Sequence, residues 1–254
     1  GGGQISGGVD NTIRQIISKT ASIHFVRTPD HAKKLLDIGE DKSRIHVVGS
    51  FCLDTILNMN FLKKEEIEKK FKINLKNPLF LVVFHPDTLN IETSIIQLKN
   101  LCKSLKKLNK QTIFIYPNAD AGGKKILKII ENYAQDSKIH LFKNLPQIEF
   151  LSIMKNADIM IGNSSSGLIE APSFGLPVIN IGNRQKGRDK LSNVIDSIGK
   201  EDEIISIAQR ILKNEDYRKK ISKCKSVYGK GDTAKKIVKI LTEIKIDDDL
   251  IYKN

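Results

Sequence analysis

The sequence has no tryptophan, three cysteines and few aromatic residues, which make up 6% of its 254 residues. Cys52, Cys102 and Cys224 are odd in number and far apart, which indicates neither a disulfide framework nor a paired-cysteine zinc site. We therefore expect reduced thiols, as in a cytoplasmic protein. No apolar run approaches the roughly 18–20 residues that cross a bilayer, so we expect no membrane partner.

Acidic residues are also scarce, with 29 against 42 basic residues and a formal net charge of +13. Such a charge raises the possibility of nucleic-acid binding. However, the lysines are spread over nearly every predicted helix, beside acidic residues, as in "KKLNK" and "RKKISKCK". We expect solvated helix faces and no nucleic-acid partner, while the positive charge can still attract anionic substrates.

Several catalytic and binding motifs are missing. The sequence contains no Gly-x-x-x-x-Gly-Lys-Ser/Thr and no Gly-x-Gly-x-x-Gly. A cluster of three serines is not the Gly-x-Ser-x-Gly of serine hydrolases, because the second residue after Ser164 is Ser166 and not glycine. No histidine spacing indicates a metal site, so we predict no metal and no cofactor.

Short apolar segments alternate with amphipathic ones along the chain. Continuous runs such as "FLVVFH" and "TIFIY" indicate strands covered on both faces, as in a parallel sheet. We predict strands at 23–27, 45–48, 79–84, 112–116, 139–142, 159–161 and 178–181, and helices at 29–37, 64–71, 91–108, 123–134, 147–156, 165–174, 203–213 and 233–245. This alternation predicts an α/β fold with a doubly wound parallel sheet, which binds ligands outside the carboxyl ends of its strands.

The predicted strand at 159–161 is followed by Gly-Asn-Ser-Ser-Ser-Gly and a predicted helix. Backbone N–H groups at a helix start bind anions, and serine hydroxyls can add hydrogen bonds. Gly162 and Gly167 let a ligand approach the backbone closely. A phosphate or diphosphate is the ligand that this pattern favours, and simple capping of the helix by a serine is the alternative.

Charged residues follow the serines. Glu170 lies in an otherwise apolar segment and could accept hydrogen bonds from the vicinal hydroxyls of a ribose, or it could be an exposed helix glutamate. Arg184 and Arg188 follow the strand predicted at 178–181 and could bind phosphate oxygens, or they could be solvated surface residues.

Two further strands end in polar residues. His85 follows the predicted strand 79–84 and could act as an acid, a base or a donor to phosphate, or it could be structural. Asn118 follows the next strand and could bind a ligand through its amide, or it could belong to a simple turn.

Four segments together carry a family resemblance: "GGQISGGVDNTIRQIISK", "FHPDTLN", "YPNADAGG" and "GNSSSGLIEAPSFGLPVINIGNRQKGR". The chain resembles the UDP-N-acetylglucosamine 2-epimerases, especially the hydrolysing ones. The resemblance implies two Rossmann-like domains of the glycosyltransferase-B type with a UDP-sugar in the cleft. It implies that the chain corresponds to the back two-thirds of such an enzyme, with residues 1–47 from the first domain, 48–230 as the UDP-binding domain, and 231–254 as a helix and tail that pack back toward the first domain.

The resemblance also implies a role for individual residues. By this resemblance, Ser164 and Ser165 bind the diphosphate and Glu170 binds the ribose. Phe150 binds the uracil, and Asn118 and Arg184 contact the nucleotide or the sugar. The resemblance assigns catalysis to His85. In the family the segment at residues 1–14 carries acidic groups, whereas this chain has Gly1, Gln4 and Asn11 there and retains Asp10 as the one candidate base.

The implied reaction is elimination of UDP across C1–C2 of a UDP-N-acetylhexosamine, followed by addition of water to give the free 2-epimer. The resemblance further implies a homodimer, and no cofactor. A non-hydrolysing epimerase, a UDP-sugar glycosyltransferase and a degenerate UDP-sugar-binding domain remain alternatives at this point.

Overall fold

The computed structural model describes residues 9–117, 123–133, 138–222, 224 and 229–253, without the side chains of residues 9–11, 124 and 222. Its helices and strands, in chain order, are α1 (Val9–Thr20), β1 (His24–Val26), α2 (Pro29–Asp37), β2 (Ile45–Val47), α3 (Phe51–Asn58), α4 (Lys64–Phe71), β3 (Leu79–Val83), α5 (Ile91–Leu108), β4 (Gln111–Ile115), α6 (Gly123–Tyr133), β5 (Ile139–Phe142), α7 (Gln147–Asn156), β6 (Ile159–Gly162), α8 (Ser166–Ile169), β7 (Val178–Ile181), β8 (Val194–Ser197), α9 (Glu201–Lys213), α10 (Glu215–Ser222), α11 (Thr233–Glu243) and α12 (Asp248–Ile251). Within these described residues, no helix is both long and apolar enough to cross a membrane.

The chain forms two compact units, one from Gly1–Met59 with Ser226–Asn254 and the other from Asn60–Lys225. The larger unit contains a parallel sheet with the strand order β5-β4-β3-β6-β7-β8. Every residue of β3, β6 and β7 is buried, because helices connect successive strands and cover the sheet. The predicted doubly wound α/β architecture is thus confirmed.

The sheet has one topological switch point, between β3 and β6. The chain builds β3, β4 and β5 outward in one direction, returns to place β6 beside β3, and continues through β7 and β8 in the other direction. The connections therefore leave the carboxyl ends of β3 and β6 toward opposite sides. In open α/β sheets this divergence opens the crevice in which ligands bind.

Two differences from the sequence prediction lie in the part of the larger sheet built after β6. The strand β8 was not predicted; it has four residues and is only partly covered. The single helix predicted at 165–174 is instead the short α8 followed by a 3₁₀ turn at Ala171–Phe174. Pro172 has no N–H to continue the α-helical pattern, and Gly175 ends the segment at φ 61°.

The smaller unit contains the parallel pair β1–β2 with α1 and α2, and a buried carboxylate lies at its centre. The side chain of Glu40 has no exposed surface, and His24 Nε2 lies 2.8 Å from its Oε2. Lys253 Nζ also contacts this carboxylate and donates to the carbonyl oxygens of residues 18, 19 and 21 at the end of α1. Burial alone would raise the pKa of Glu40, but hydrogen bonds from Lys253, His24 and Lys19 outweigh it and lower the pKa to about 2.

We expect this carboxylate to make the smaller unit sensitive to acid. Because the folded pKa of Glu40 lies below 4.5, its contribution is complete above about pH 4.5 and is lost as the pH falls toward 2. The lowering of the Glu40 pKa corresponds to about 3 kcal/mol of folding stability at neutral pH. Urea unfolding from pH 7 to pH 2.5 should show that Glu40→Gln is less stable at pH 7 and has a flatter pH dependence. Glu243→Gln, which changes an exposed glutamate of α11, is the matched control, and equal pH slopes for Glu40→Gln and the wild type would contradict the assignment.

Candidate active site

Three neighbouring strands end at the same edge of the larger sheet, at the switch point. His85 follows β3 by two residues, Ser164 follows β6 by two, and Arg184 follows β7 by three. Since β3, β6 and β7 are parallel and adjacent, these predicted site residues lie at one edge although they are up to 99 positions apart in the sequence (184 minus 85). His85 and Arg184 are half-buried, whereas Ser164 is buried.

Asn163 connects the ends of the three strands by hydrogen bonds. Its side-chain Oδ1 accepts from the N–H of His85 at 2.7 Å, and its Nδ2 donates to the carbonyl oxygen of His85 at 2.8 Å. Its own carbonyl oxygen accepts from Arg184 Nη1 at 3.2 Å and from Gln185 Nε2 at 2.7 Å. Residues that follow β3 and β7 are thereby held against a residue that follows β6.

Gly162 explains how closely β3 and β6 approach each other. It has φ +142°, and a Cβ atom added there would lie 2.0 Å from the carbonyl oxygen of Val83. Real Cβ atoms essentially never come this close to backbone, so only glycine fits. The short side chain of Asn163 can reach the peptide groups of His85 because the two strands are so close.

The serines form a compact turn. The hydroxyl oxygens of Ser164 and Ser166 lie 2.6 Å apart, and the N–H of Ser166 donates to Ser164 Oγ at 3.3 Å. Within the described part of the chain, the N–H groups of Ser164 and Ser165 make no hydrogen bond. The N-cap of α8 is Ser165, whose side chain makes no capping hydrogen bond, so the bond from Ser166 to Ser164 stabilises the turn before the helix. The turn leaves these two N–H groups and the Ser165 hydroxyl for an anion. α8 has only four residues, so these donors rather than a helix dipole would bind it.

The remaining predicted residues of this unit lie on neighbouring segments. Glu170 is half-buried at the end of α8, and its N–H donates to the carbonyl oxygen of Ser166 at 3.0 Å. Phe150 is half-buried in α7, which packs against the 3₁₀ turn that follows Glu170. Arg188 is half-buried in the loop after β7, and its backbone N–H donates to the carbonyl oxygen of Gln185 at 3.3 Å.

Two predicted residues cannot be placed in the same way. Asn118 lies outside the described residues, after the end of β4. Asp10 belongs to α1 in the smaller unit, but its side chain is not described. Gly1 and Gln4 lie outside the described residues as well. The proposed roles of all predicted site residues therefore remain predictions.

The structure adds buried amide side chains to the residues considered from the sequence. Four are buried in the described part of the chain, and three of them donate to backbone carbonyl oxygens: Asn163, Gln185 and Asn193. Asn193 Nδ2 donates to the carbonyl oxygen of Leu176 at 3.1 Å and lies 3.4 Å from that of Gly167, so it supports the segment that carries the serines. Asn163 and Gln185 lie inside motifs that the sequence singled out. A polar residue directly after a buried strand was the available signal for Asn163.

The described residues contain no group of three or more histidines, cysteines, aspartates or glutamates that could hold a metal ion. The polar groups of this edge are the N–H groups and hydroxyls of the serine turn, the imidazole of His85 and the guanidinium of Arg184. They are donors suited to phosphate oxygens, and one carboxylate, Glu170, follows the serine turn in the sequence.

Comparison with known proteins supports this chemistry. Residues 1–242 match the family model described as UDP-N-acetylglucosamine 2-epimerase. The GDP/UDP-N,N'-diacetylbacillosamine 2-epimerase (hydrolyzing) of Campylobacter jejuni is 44% identical over 200 residues, covering 77% of this chain and 52% of that protein. The UDP-N,N'-diacetylbacillosamine 2-epimerase (hydrolyzing) of Legionella pneumophila is 32% identical over 252 residues, covering 99% of this chain and 66% of that protein.

A solved structure agrees in fold. The UDP-GlcNAc 2-epimerase from Neisseria meningitidis bound to UDP-GlcNAc superposes with a TM-score of 0.78 at 20% identity, covering 93% of this chain and 65% of that one. The chain thus spans between about half and two-thirds of the length of these proteins. The match over almost its whole length shows that the chain belongs to the UDP-N-acetylglucosamine 2-epimerase family.

Proposed function

We propose that the protein is a hydrolysing 2-epimerase that converts a UDP-linked 2-acetamido sugar into UDP and the free 2-epimer. The observation that carries the proposal is a group of hydrogen-bond donors suited to phosphate oxygens at the switch point. The serine turn, His85 and Arg184 supply these donors at the ends of three adjacent strands. The hydrolysing relatives, at 44% and 32% identity, support this outcome over a non-hydrolysing one.

The proposed nucleotide contacts follow from the chemistry of each group. The N–H groups of Ser164 and Ser165, the Ser165 hydroxyl and Arg184 bind the diphosphate. Glu170 accepts hydrogen bonds from the two ribose hydroxyls. Phe150 and the backbone before it bind the uracil, and Asn118 contacts the nucleotide or the sugar.

The proposed reaction has two steps. In the first, a base removes the proton from C2 of the sugar, the electron pair forms the C1–C2 double bond, and the C1–O bond breaks so that UDP leaves with its electrons. In the second step, water adds across the double bond. Its hydroxyl bonds to C1, and a proton is added to C2 on the face opposite to the one that lost its proton. Asp10 is the proposed base, and His85 donates a hydrogen bond to the departing diphosphate.

The substrate that we propose first is UDP-N,N'-diacetylbacillosamine, because one hydrolysing relative is named for it and the other for its GDP- or UDP-linked form. UDP-N-acetylglucosamine is the second candidate, since other matched relatives are named as its 2-epimerases. Both present the same UDP to the serine turn. We also propose the homodimer that the family resemblance implies, which sedimentation velocity can test.

The decisive experiment incubates the protein with each UDP-sugar in D₂O and follows the products by proton NMR. We expect free UDP together with a free sugar that is epimerised and deuterated at C2, because proton removal from C2 precedes hydration. A UDP-linked epimer without free UDP would indicate the non-hydrolysing reaction. Turnover that requires an added sugar acceptor would indicate a transferase. UDP binding without turnover of either sugar would indicate a binding domain and contradict the proposal.

A further inference from the structure

We infer that Asn163 is the positioning residue of this site, which holds His85 in the orientation required at the departing diphosphate. The inference rests on the proposed function, because it assumes that His85 faces the diphosphate. It assigns the role to a residue that need not touch the substrate itself. Asn163 is 2% exposed and lies between Gly162, which joins β6 to β3, and Ser164, which begins the serine turn.

Asn163 makes two hydrogen bonds to the backbone of His85. One amide group accepts from the N–H of His85 at 2.7 Å and donates to its carbonyl oxygen at 2.8 Å. Two antiparallel bonds to the N–H and C=O of one residue fix the orientation of its backbone. The direction in which the His85 side chain leaves the backbone is fixed with it.

Asparagine suits this pair of bonds because of its side-chain amide. The amide carries its acceptor and its donor on two atoms of one short planar group, so it can bond to the N–H and the carbonyl oxygen of one residue together. An aspartate would keep the acceptor but place a second oxygen against the carbonyl of His85. A glutamine would place its amide one methylene farther from the backbone and out of register with the two groups of His85. A serine or threonine offers a single hydroxyl.

Asn163 also contacts the residues that are proposed to donate hydrogen bonds to the diphosphate. The carbonyl oxygen of Asn163 accepts from Arg184 Nη1 at 3.2 Å and from Gln185 Nε2 at 2.7 Å, and Gln185 is 1% exposed. The peptide that follows this carbonyl bears the N–H of Ser164. One residue therefore sets the position of His85, Arg184 and the first phosphate-binding N–H relative to one another, which preorganises the site before ligand binds.

The test compares Asn163→Ala and Asn163→Asp with Asn180→Ala in the full chain. Asn180 is a matched control, because it is 1% exposed, pairs in register with Gly162, and donates to Asp196 rather than to His85. The chain has five histidines, so labelling them with ¹³C at Cε1 gives five NMR signals, and His85→Gln identifies the signal of His85. Amide hydrogen exchange of His85 is measured on the same samples, without ligand and with UDP.

Without ligand, we expect the amide of His85 to exchange at least about 100-fold faster in Asn163→Ala than in the wild type, and its ring signal to move. Asn163→Asp should lie between them, and Asn180→Ala should leave both readouts unchanged. With UDP, the wild-type His85 signal should shift, and the shift should be smaller in Asn163→Ala.

Two results would overturn the inference. One is that both the exchange rate of the His85 amide and the NMR signal of its ring in Asn163→Ala match the wild type. The other is a change of all five histidine signals alike in Asn163→Ala, which would show general loosening rather than positioning. If UDP fails to bind the wild type, the proposed function fails, and the measurements without ligand still decide whether Asn163 positions His85.

Discussion

Replacing Ser164 and Glu170 together with alanine should remove UDP binding that isothermal titration calorimetry can detect in the wild type. A hydrogen bond to a charged group contributes about 1.5–3 kcal/mol. Glu170, as a carboxylate, is proposed to accept two such bonds from the ribose. Ser164 holds the turn that presents N–H groups to the diphosphate, since its hydroxyl oxygen accepts from the N–H of Ser166. Loss of both should weaken UDP binding by more than about 100-fold.

The double variant needs a matched control and a check on folding. Ser173→Ala with Glu65→Ala makes the same chemical changes in the 3₁₀ turn and on the exposed face of α4, and it should bind UDP as the wild type does. Loss of the hydrogen bond from the N–H of Ser166 to Ser164 Oγ can itself cost about 0.5–1.5 kcal/mol of stability, so thermal unfolding is measured in parallel. Ser165→Ala removes a hydroxyl proposed to donate to the diphosphate and keeps the bond between Ser166 and Ser164. Unchanged affinity in the double variant would mean that UDP, if it binds, does so elsewhere.

The fold could be predicted from the sequence because burial on both faces leaves a strong pattern. All five residues of β3 are buried, and the run "LFLVV" shows this directly. The helix bounds 29–37, 64–71, 91–108 and 147–156 match the structure residue for residue. Local signals mark several of these ends, as in α2, where Thr28 accepts from the N–H of His31 and Pro29 opens the helix.

Elements with weaker local signals were missed. β8 is partly exposed and follows a polar loop, so it lacks a continuous apolar run. α3 contains apolar residues without clear helical spacing, and its start depends on a cap from Ser50. The helix predicted at 165–174 is interrupted at Pro172, whose effect on the backbone outweighs the apolar pattern around it.

The candidate site was accessible from the sequence only in part. Strand ends identified His85, Ser164 and Arg184, because parallel strands place their carboxyl ends at one edge. The pairing of Asn163 with His85, 78 positions away, depends on β3 and β6 being neighbours, and strand order is not written in local sequence. Likewise, Gln185 reads as a loop residue until the structure shows its side chain buried against the carbonyl oxygen of Asn163.

The second large effect is expected at His85, where His85→Ala should lower kcat for UDP-sugar hydrolysis by about 10²–10³-fold. The same change should weaken UDP binding by less than about 10-fold. The reason for the difference is that negative charge on the diphosphate grows as the C1–O bond breaks, so a donor placed there stabilises the transition state more than the bound substrate. Alanine removes the imidazole donor and keeps the backbone groups of residue 85 that bond to Asn163.

The measurement pairs steady-state kinetics with UDP titration on the same preparation, once turnover by the wild type is established. His140→Ala is the matched control, because His140 is half-buried in β5 at the outer edge of the same sheet and lies within the strand rather than after its carboxyl end. It should leave both kcat and UDP affinity near the wild-type values. Equal losses of kcat and of UDP affinity in His85→Ala would mean that His85 contributes the same free energy before and during bond breaking. In that case His85 only binds the nucleotide, and another group must stabilise the departing UDP.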